Sequence, residues 1–296
     1  MRSRSVFVFV TFVALCFAIT CTAQTESLEG AKNSVLARIE KSGADVGIAF
    51  HTLDGKYEWY SRADESFHAA STMKVPVLIE LFHQVKDGKL KLSDPLAVQN
   101  EFRSIADGSP FKLDAADDSE ADLYKAEGQT RTISQLAELM ITVSSNFATN
   151  LLIEKLGVEN IRATVHSLGA EGMNVLRGVE DGKAFEKGMN NTTTARGLAT
   201  LMTAIADGKA VDAESSKQMI KILERQKFNE AIPAGLPTGT VVAHKTGDIT
   251  KVHHDAAIVY TRRPFVLVIL VRGITEDKEA YKLMAAIARD LYNATN

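Results

Sequence analysis

The sequence predicts an α+β fold in which one antiparallel sheet, flanked by terminal helices, is interrupted by an inserted all-helical domain. Three observations predict it. β-rich runs lie at 46–60 and again at 241–271, towards the two ends of the chain. Between them apolar residues recur at helical spacing. Helical patterns at 28–39 and 277–292 bracket the strands on the outside. The division that follows gives residues 24–70 and 215–296 to an α/β domain built from both termini, and residues 71–214 to an all-α domain. A ligand site is expected at the seam, where clefts between domains form.

Residues 1–23 read as a secretory signal peptide. Met-Arg-Ser-Arg is followed by an apolar run from Val6 to Ile19 and by Cys21-Thr22-Ala23, with cleavage expected after Ala23. The run falls short of the roughly 20 residues that a membrane span needs. Ile19-Thr20 lacks the small residue expected ahead of a lipidated Cys21. The expected product is secreted or periplasmic, monomeric and without a stable membrane span. Cys16 and Cys21 are the chain's two cysteines, so stability after cleavage must come from the core, for which 273 remaining residues suffice. Loss of Arg2 and Arg4 leaves 32 basic against 37 acidic residues, which argues against a nucleic-acid partner.

In chain order, Leu28, Ala31, Val35, Leu36 and Ile39 mark an amphipathic helix closed by Gly43. Residues 46–53 and 57–60 read as strands joined by an Asp54-Gly55 turn. A helix then runs from near Ser71 to about Val85. Pro76 has no N–H and is tolerated only near the first turn, which sets Ser71 at the helix N-terminus. Residues 92–129 read as irregular surface structure with short helical pieces. Helices are expected at 132–143, 147–156, 161–168 and 194–205, strands at 241–246, 256–260 and 265–271, and a last helix at 277–292.

Three motifs carry chemistry. Ser71-Thr72-Met73-Lys74 places a hydroxyl and an amine on one helical face, where a desolvated Lys74 can take the Ser71 proton. A second S-x-x-K, Ser109 to Lys112, has no apolar helical run behind it and reads as loop. Ser144-Ser145-Asn146 sits between two helices. Lys245-Thr246-Gly247 lies on the first late strand, its glycine leaving room for a ligand backbone. His253-His254-Asp255, with His244 nearby, has no metal-ligand spacing, because neighbouring strand residues point to opposite faces. No metal or other cofactor is expected.

The order S-x-x-K, S-x-N, K-T-G resembles the penicillin-recognising serine hydrolases, most closely their class A β-lactamase-like branch. The resemblance extends over nearly the whole chain after residue 23. It implies the β-lactamase/transpeptidase-like fold, with Ser71 as the acylated nucleophile and Lys74 helping to deprotonate it. Ser144 would relay a proton to the leaving nitrogen, and Asn146 would hold the substrate's side-chain amide. Lys245, Thr246 and Gly247 would line the place of a substrate carboxylate, and the backbone N–H groups of Ser71 and Asp248 would form the oxyanion hole. Two departures stand out. Ser145 occupies the place of an aspartate, so some local hydrogen bonding is expected to be lost. The deacylating glutamate of class A enzymes has two candidates: Glu180 follows Arg177 one residue late, and Glu186 precedes Asn190 at the right spacing but close to Thr192-Thr193. Glu180 is taken as the base. The implied substrate is a small-molecule β-lactam or a D-Ala-D-Ala-like peptide. The implied activity is that of a serine β-lactamase, with a DD-peptidase-like enzyme of peptidoglycan or a binding protein without turnover as alternatives.

Overall fold

A computed structural model describes residues 27–296. The leader expected at 1–23, with Cys16 and Cys21, lies outside the described residues. The first helix, α1, covers residues 27–42 and ends at Gly43, whose φ of 68° is the left-handed stop that closes many helices. Strands β1 (Asp45–Thr52) and β2 (Glu58–Ser61) pair antiparallel around the expected turn. Asp54 holds that turn, its Oδ1 accepting from Thr52 Oγ1 at 2.7 Å and from the Lys56 N–H at 3.1 Å. A two-residue strand, β3 (Phe67–His68), leads into a 3₁₀ turn at Ala70–Met73 and then α2 (Lys74–Lys86). Pro76 falls in the first turn of α2, where the N–H it lacks would have had no helical partner.

The stretch read as irregular contains short pairs: β4 (Pro95–Ala97) with β7 (Thr130–Thr132), and β5 (Phe102–Arg103) with β6 (Pro110–Phe111). Helices α3 (Ile133–Thr142), α4 (Asn146–Leu156) and α5 (Val158–Ser167) follow. Thr132 and Gln135 start α3 with a reciprocal capping box, and Ser145 is the N-cap of α4. A single short helix, α6 (Gly182–Glu186), interrupts the loop to β8 (Thr192–Thr193), which pairs with β3. Then come α7 (Ala195–Ala206), α8 (Ala213–Leu223), β9 (Val241–Ile249), β10 (Val252–Tyr260), β11 (Phe265–Arg272) and α9 (Asp277–Thr295).

The main sheet has the order β2-β1-β11-β10-β9 and every pairing is antiparallel, so both ends of the chain do build one sheet. Alternation along the strands divides it into two faces. Ile48, Phe50, Leu267, Ile269 and Val271 face α1 and α9 and pack on Val35, Met284, Ile287 and Leu291. Ala49, Ala256, Ile258, Val268 and Leu270 face the other way, into a core with Leu78, Phe82, Met140, Leu152, Leu198 and Met202. Each fully buried aliphatic side chain contributes about 1.5–3 kcal/mol. Helix α7, which a division at residue 214 assigns to the helical part, lies on β1, β10 and β11. Helix α2 is buried along most of its length between α4 and α5, so the turn carrying Ser71 has a rigid continuation.

Candidate active site

The approach to Ser71 is held from several sides. The Ala69 N–H donates to the Asn191 carbonyl at 2.8 Å, and the Ala70 N–H donates to His68 Nδ1 at 3.0 Å. The His68 carbonyl in turn accepts from His254 Nε2 at 2.8 Å, while His254 Nδ1 accepts from the Val271 N–H at 3.2 Å. These partners fix the proton of His254 on Nε2, and burial pushes its pKa down to about 4, so it stays neutral. Ala70 has φ of 44°, a left-handed conformation costly for a residue with a Cβ. Ser71 therefore sits in a 3₁₀ turn just ahead of α2 and not in the helix itself.

Lys74 and Lys245 are both fully buried and converge on Ser144. Lys74 Nζ donates to the Ser144 carbonyl at 2.6 Å, to Ser144 Oγ at 3.1 Å and to Asn146 Oδ1 at 2.9 Å. Lys245 Nζ donates to Ser144 Oγ at 3.0 Å and to the Thr246 carbonyl at 2.8 Å. Burial, then the neighbouring Lys245 charge, holds the Lys74 amine well below its usual range, partly opposed by Asp118 and Glu180. Lys245 is brought down to about 7 by burial, against the pull of Asp248 and Asp255. Ser144 adopts φ of 58°, which turns its carbonyl and hydroxyl towards the same ammonium.

Asn146 continues the chain of contacts. Its Nδ2 donates to Glu180 Oε1 at 3.0 Å, so one run of hydrogen bonds links Glu180, Asn146, Lys74, Ser144 and Lys245. Glu180 is a third site residue with left-handed backbone, φ 59°. Desolvation first, then the Asp117 charge, raises its carboxyl pKa. A cavity of about 390 Å³ is lined by Ser71, Asn146, Glu180 and Asp248 among others. Glu186 does not line it, although Glu180 and Glu186 are both solvent-exposed. Ser109, the serine of the second S-x-x-K, donates to Asp107 Oδ1 and accepts from Lys183 Nζ in a surface turn.

Gly247 has a different reason for being glycine than room for a ligand. A Cβ there would stand 2.9 Å from the Thr72 nitrogen and 3.0 Å from the Ser71 nitrogen, so β9 runs directly against the turn of the nucleophile. Thr246 is buried beside it. The Asp248 side chain turns to the β10 partner, its Oδ1 lying 2.9 Å from His253 Nδ1. The three late-strand histidines all have protein partners, as His253 and His254 above: His244 lies 2.9 Å from Asp255, whose other oxygen accepts from the Ile232 N–H.

The expected loss of hydrogen bonding at Ser145 does not occur. Asp118 reaches in from the irregular stretch, and its Oδ2 accepts from the Phe147 N–H at 2.8 Å, the Tyr124 hydroxyl at 3.0 Å and Ser145 Oγ at 3.3 Å. Asn191 was equally silent in the sequence. Its Oδ1 accepts from the Leu176 and Arg177 N–H groups and its Nδ2 donates to the Arg177 carbonyl, closing the neck of the loop that carries Glu180.

Comparison with known proteins agrees with this architecture. The chain is 26% identical to the β-lactamase Toho-1 of Escherichia coli over 298 residues, 98% of this chain and 96% of the relative. A crystal structure of a β-lactamase from Sphaerobacter thermophilus superposes with a TM-score of 0.77 at 26% identity, covering 90% of this chain and 97% of that one. The structure of PBP-A superposes equally well, with a TM-score of 0.77 at 29% identity, covering 90% of this chain and 96% of its own. The description of the β-lactamase enzyme family matches residues 30–295. Because that match takes in both faces of the sheet and every motif around Ser71, the chain belongs to the β-lactamase enzyme family of serine hydrolases.

Proposed function

We propose that this protein is a serine β-lactamase that opens the β-lactam amide through an ester on Ser71. Lys74, whose charged form is disfavoured by burial, takes the Ser71 proton as Oγ attacks the amide carbonyl. The Ser71 and Asp248 N–H groups receive the oxyanion. As the C–N bond breaks, Ser144 Oγ gives its proton to the leaving nitrogen and is reprotonated from the lysines that bond it. Lys245 and Thr246 receive the substrate carboxylate. Glu180 then removes a proton from water, the resulting hydroxide attacks the ester, and Ser71 leaves with the proton restored. Export with removal of residues 1–23 belongs to the same reading and would place the enzyme in the periplasm or outside the cell.

One observation carries hydrolysis over simple acylation: the Glu180 carboxyl lines the cavity of Ser71 and is held there by Asn146. The second reading, a DD-peptidase-like enzyme or penicillin-binding protein, is supported by the likeness to PBP-A, a variant of which is solved as an acyl-enzyme complex with penicillin G. Glu180→Gln separates them. A general base is worth about 10²–10⁴-fold, so the variant should acylate normally and accumulate the penicillin adduct, read by intact mass spectrometry. Glu186→Gln should turn over as wild type. A wild-type adduct that persists for hours would rule out the hydrolytic reading, and the Glu186 variant alone trapping it would move the base.

A further inference from the structure

We propose that Asp118 is the positioning residue of the Ser144–Asn146 turn, supplying from the segment before α3 the carboxylate that the turn itself lacks. The proposal rests on the acyl-transfer reading above. Phe147 is the second residue of α4 and Ser145 its N-cap, so the carboxylate lies over the first turn of a helix, where an anion is stabilised by the free N–H groups. Its three donors are uncharged, which leaves its negative charge undivided. Tyr124 fixes the segment from behind: its hydroxyl donates to Asp118 and its ring lies 4.7 Å from that of Phe147.

The consequence reaches the reacting groups through one turn of backbone. Ser144, with its left-handed φ, presents two of the three acceptors of Lys74, and Asn146 presents the third. A strained turn keeps its shape only while its surroundings impose it. Without Asp118 the Phe147 N–H and the Ser145 hydroxyl lose a partner, and the turn is free to relax away from Lys74. The charge acts as well. The groups bearing on Lys74 are Lys245 from β9, Glu180 from the loop and Asp118, and of these Asp118 and Glu180 favour the ammonium. Removing the Asp118 charge lets Lys74 lose its proton at lower pH.

The test compares the full chain with Asp118→Ala, Asp118→Asn and the double variant Asp118→Ala/Ser145→Asp, which returns a carboxylate to the turn at its N-cap. Two quantities are read: hydrogen exchange of the peptide containing residues 144–148, and the pH dependence of the rate at which a fluorescent penicillin labels Ser71. In Asp118→Ala, exchange should quicken, labelling should slow by about tenfold through lost alignment, and the acid limb of the rate should move to lower pH. Asp118→Asn should move the limb with a smaller loss of rate, and the double variant should restore both exchange and rate. Unchanged exchange in Asp118→Ala, an unmoved limb in Asp118→Asn, or failure of the double variant to recover would each overturn the proposal. If wild type is not labelled but exchange responds as expected, the acyl-transfer reading fails while the role of Asp118 in holding the turn stands.

Discussion

Lys245 shows how a single buried group ties stability to function. With its pKa brought down to about 7 by burial, the Lys245 ammonium gives up its proton readily near neutral pH, and a substrate carboxylate placed against it would draw the proton back. Binding of a carboxylate-bearing penicillin is therefore expected to weaken as pH rises above about 7, with proton uptake, while the methyl ester of the same compound should show no such trend. Lys245→Ala should cost the acid about 1.5–3 kcal/mol, as for a lost charge-assisted hydrogen bond, and the ester much less. Equal losses for both compounds would exclude a carboxylate at this lysine. The same shift has a sign for stability. The unfolded chain binds more protons at this group between about pH 7 and 10.5, so stability rises with pH across that window, and below it the burial penalty is full. The motifs were legible in the sequence as short spacings, and the structure joins Lys74, Ser144, Asn146 and Lys245 by hydrogen bonds and sets Ser71 on the same cavity. Asp118 was not legible, since its contacts with Ser145 and Phe147 depend on the path of a segment without periodicity. Spacing alone offered Glu180 and Glu186 alike, and it is the fold that sets Glu180 on the cavity and leaves Glu186 off it. Glu180 stands there with a left-handed backbone that no local preference of glutamate foretells.

At the scale of elements, the loop from Arg177 to Asn191 is held at its neck and its far side. Asn191 makes three hydrogen bonds across the neck, the longest 3.1 Å. At the far side Asp181 accepts from Ser104 Oγ at 2.7 Å and from the Ile105 N–H at 2.9 Å. Asn191→Ala would leave the buried Arg177 N–H and the half-buried Leu176 N–H without this partner, at about 1–3 kcal/mol for the buried one. That strain falls on the loop that carries Glu180, while Lys74 and Ser144 stand on other elements. Hydrolysis of the penicillin adduct should therefore slow by more than acylation does, as measured by adduct lifetime against labelling rate. Equal slowing would show that the neck serves the Ser71 turn, through the bond from Ala69 N–H to the Asn191 carbonyl, more than the loop. Strong periodicity made most elements readable, and their observed ends differ by a few residues. β10 is longer than its apolar run because His253, His254 and Asp255 each find a partner and can be buried in a strand. Helix α8 was missed, although Asp212 caps it and Met219 and Leu223 share its buried face.

For the whole molecule, the sheet is common to both cores, and this decides how the protein should unfold. Adjacent residues of β11 serve opposite faces: Ile269 packs towards α1 and α9, and Leu270 towards the helical part that carries Lys74 and Ser144. The sequence already implied a sheet made from both termini, because β patterns lie at the two ends of the chain. It did not show that α7 lies on that sheet and welds the helical part to it, since an amphipathic pattern gives a buried face without naming the partner. A shared sheet means that neither layer can lose its core while the other keeps its own. Ile269→Ala and Leu270→Ala should each lower global stability by about 2–5 kcal/mol, despite facing different layers. Two probes report the two sides. Trp59, the chain's single tryptophan, packs against the core of α1 and α9, and penicillin labelling of Ser71 reports the opposite side. Their denaturation curves should coincide in wild type and in both variants, as for one cooperative unit. Loss of the Trp59 signal in Ile269→Ala at a denaturant concentration where Ser71 is still labelled would mean that the terminal helices and their face of the sheet come away first, and that the two cores are energetically separate.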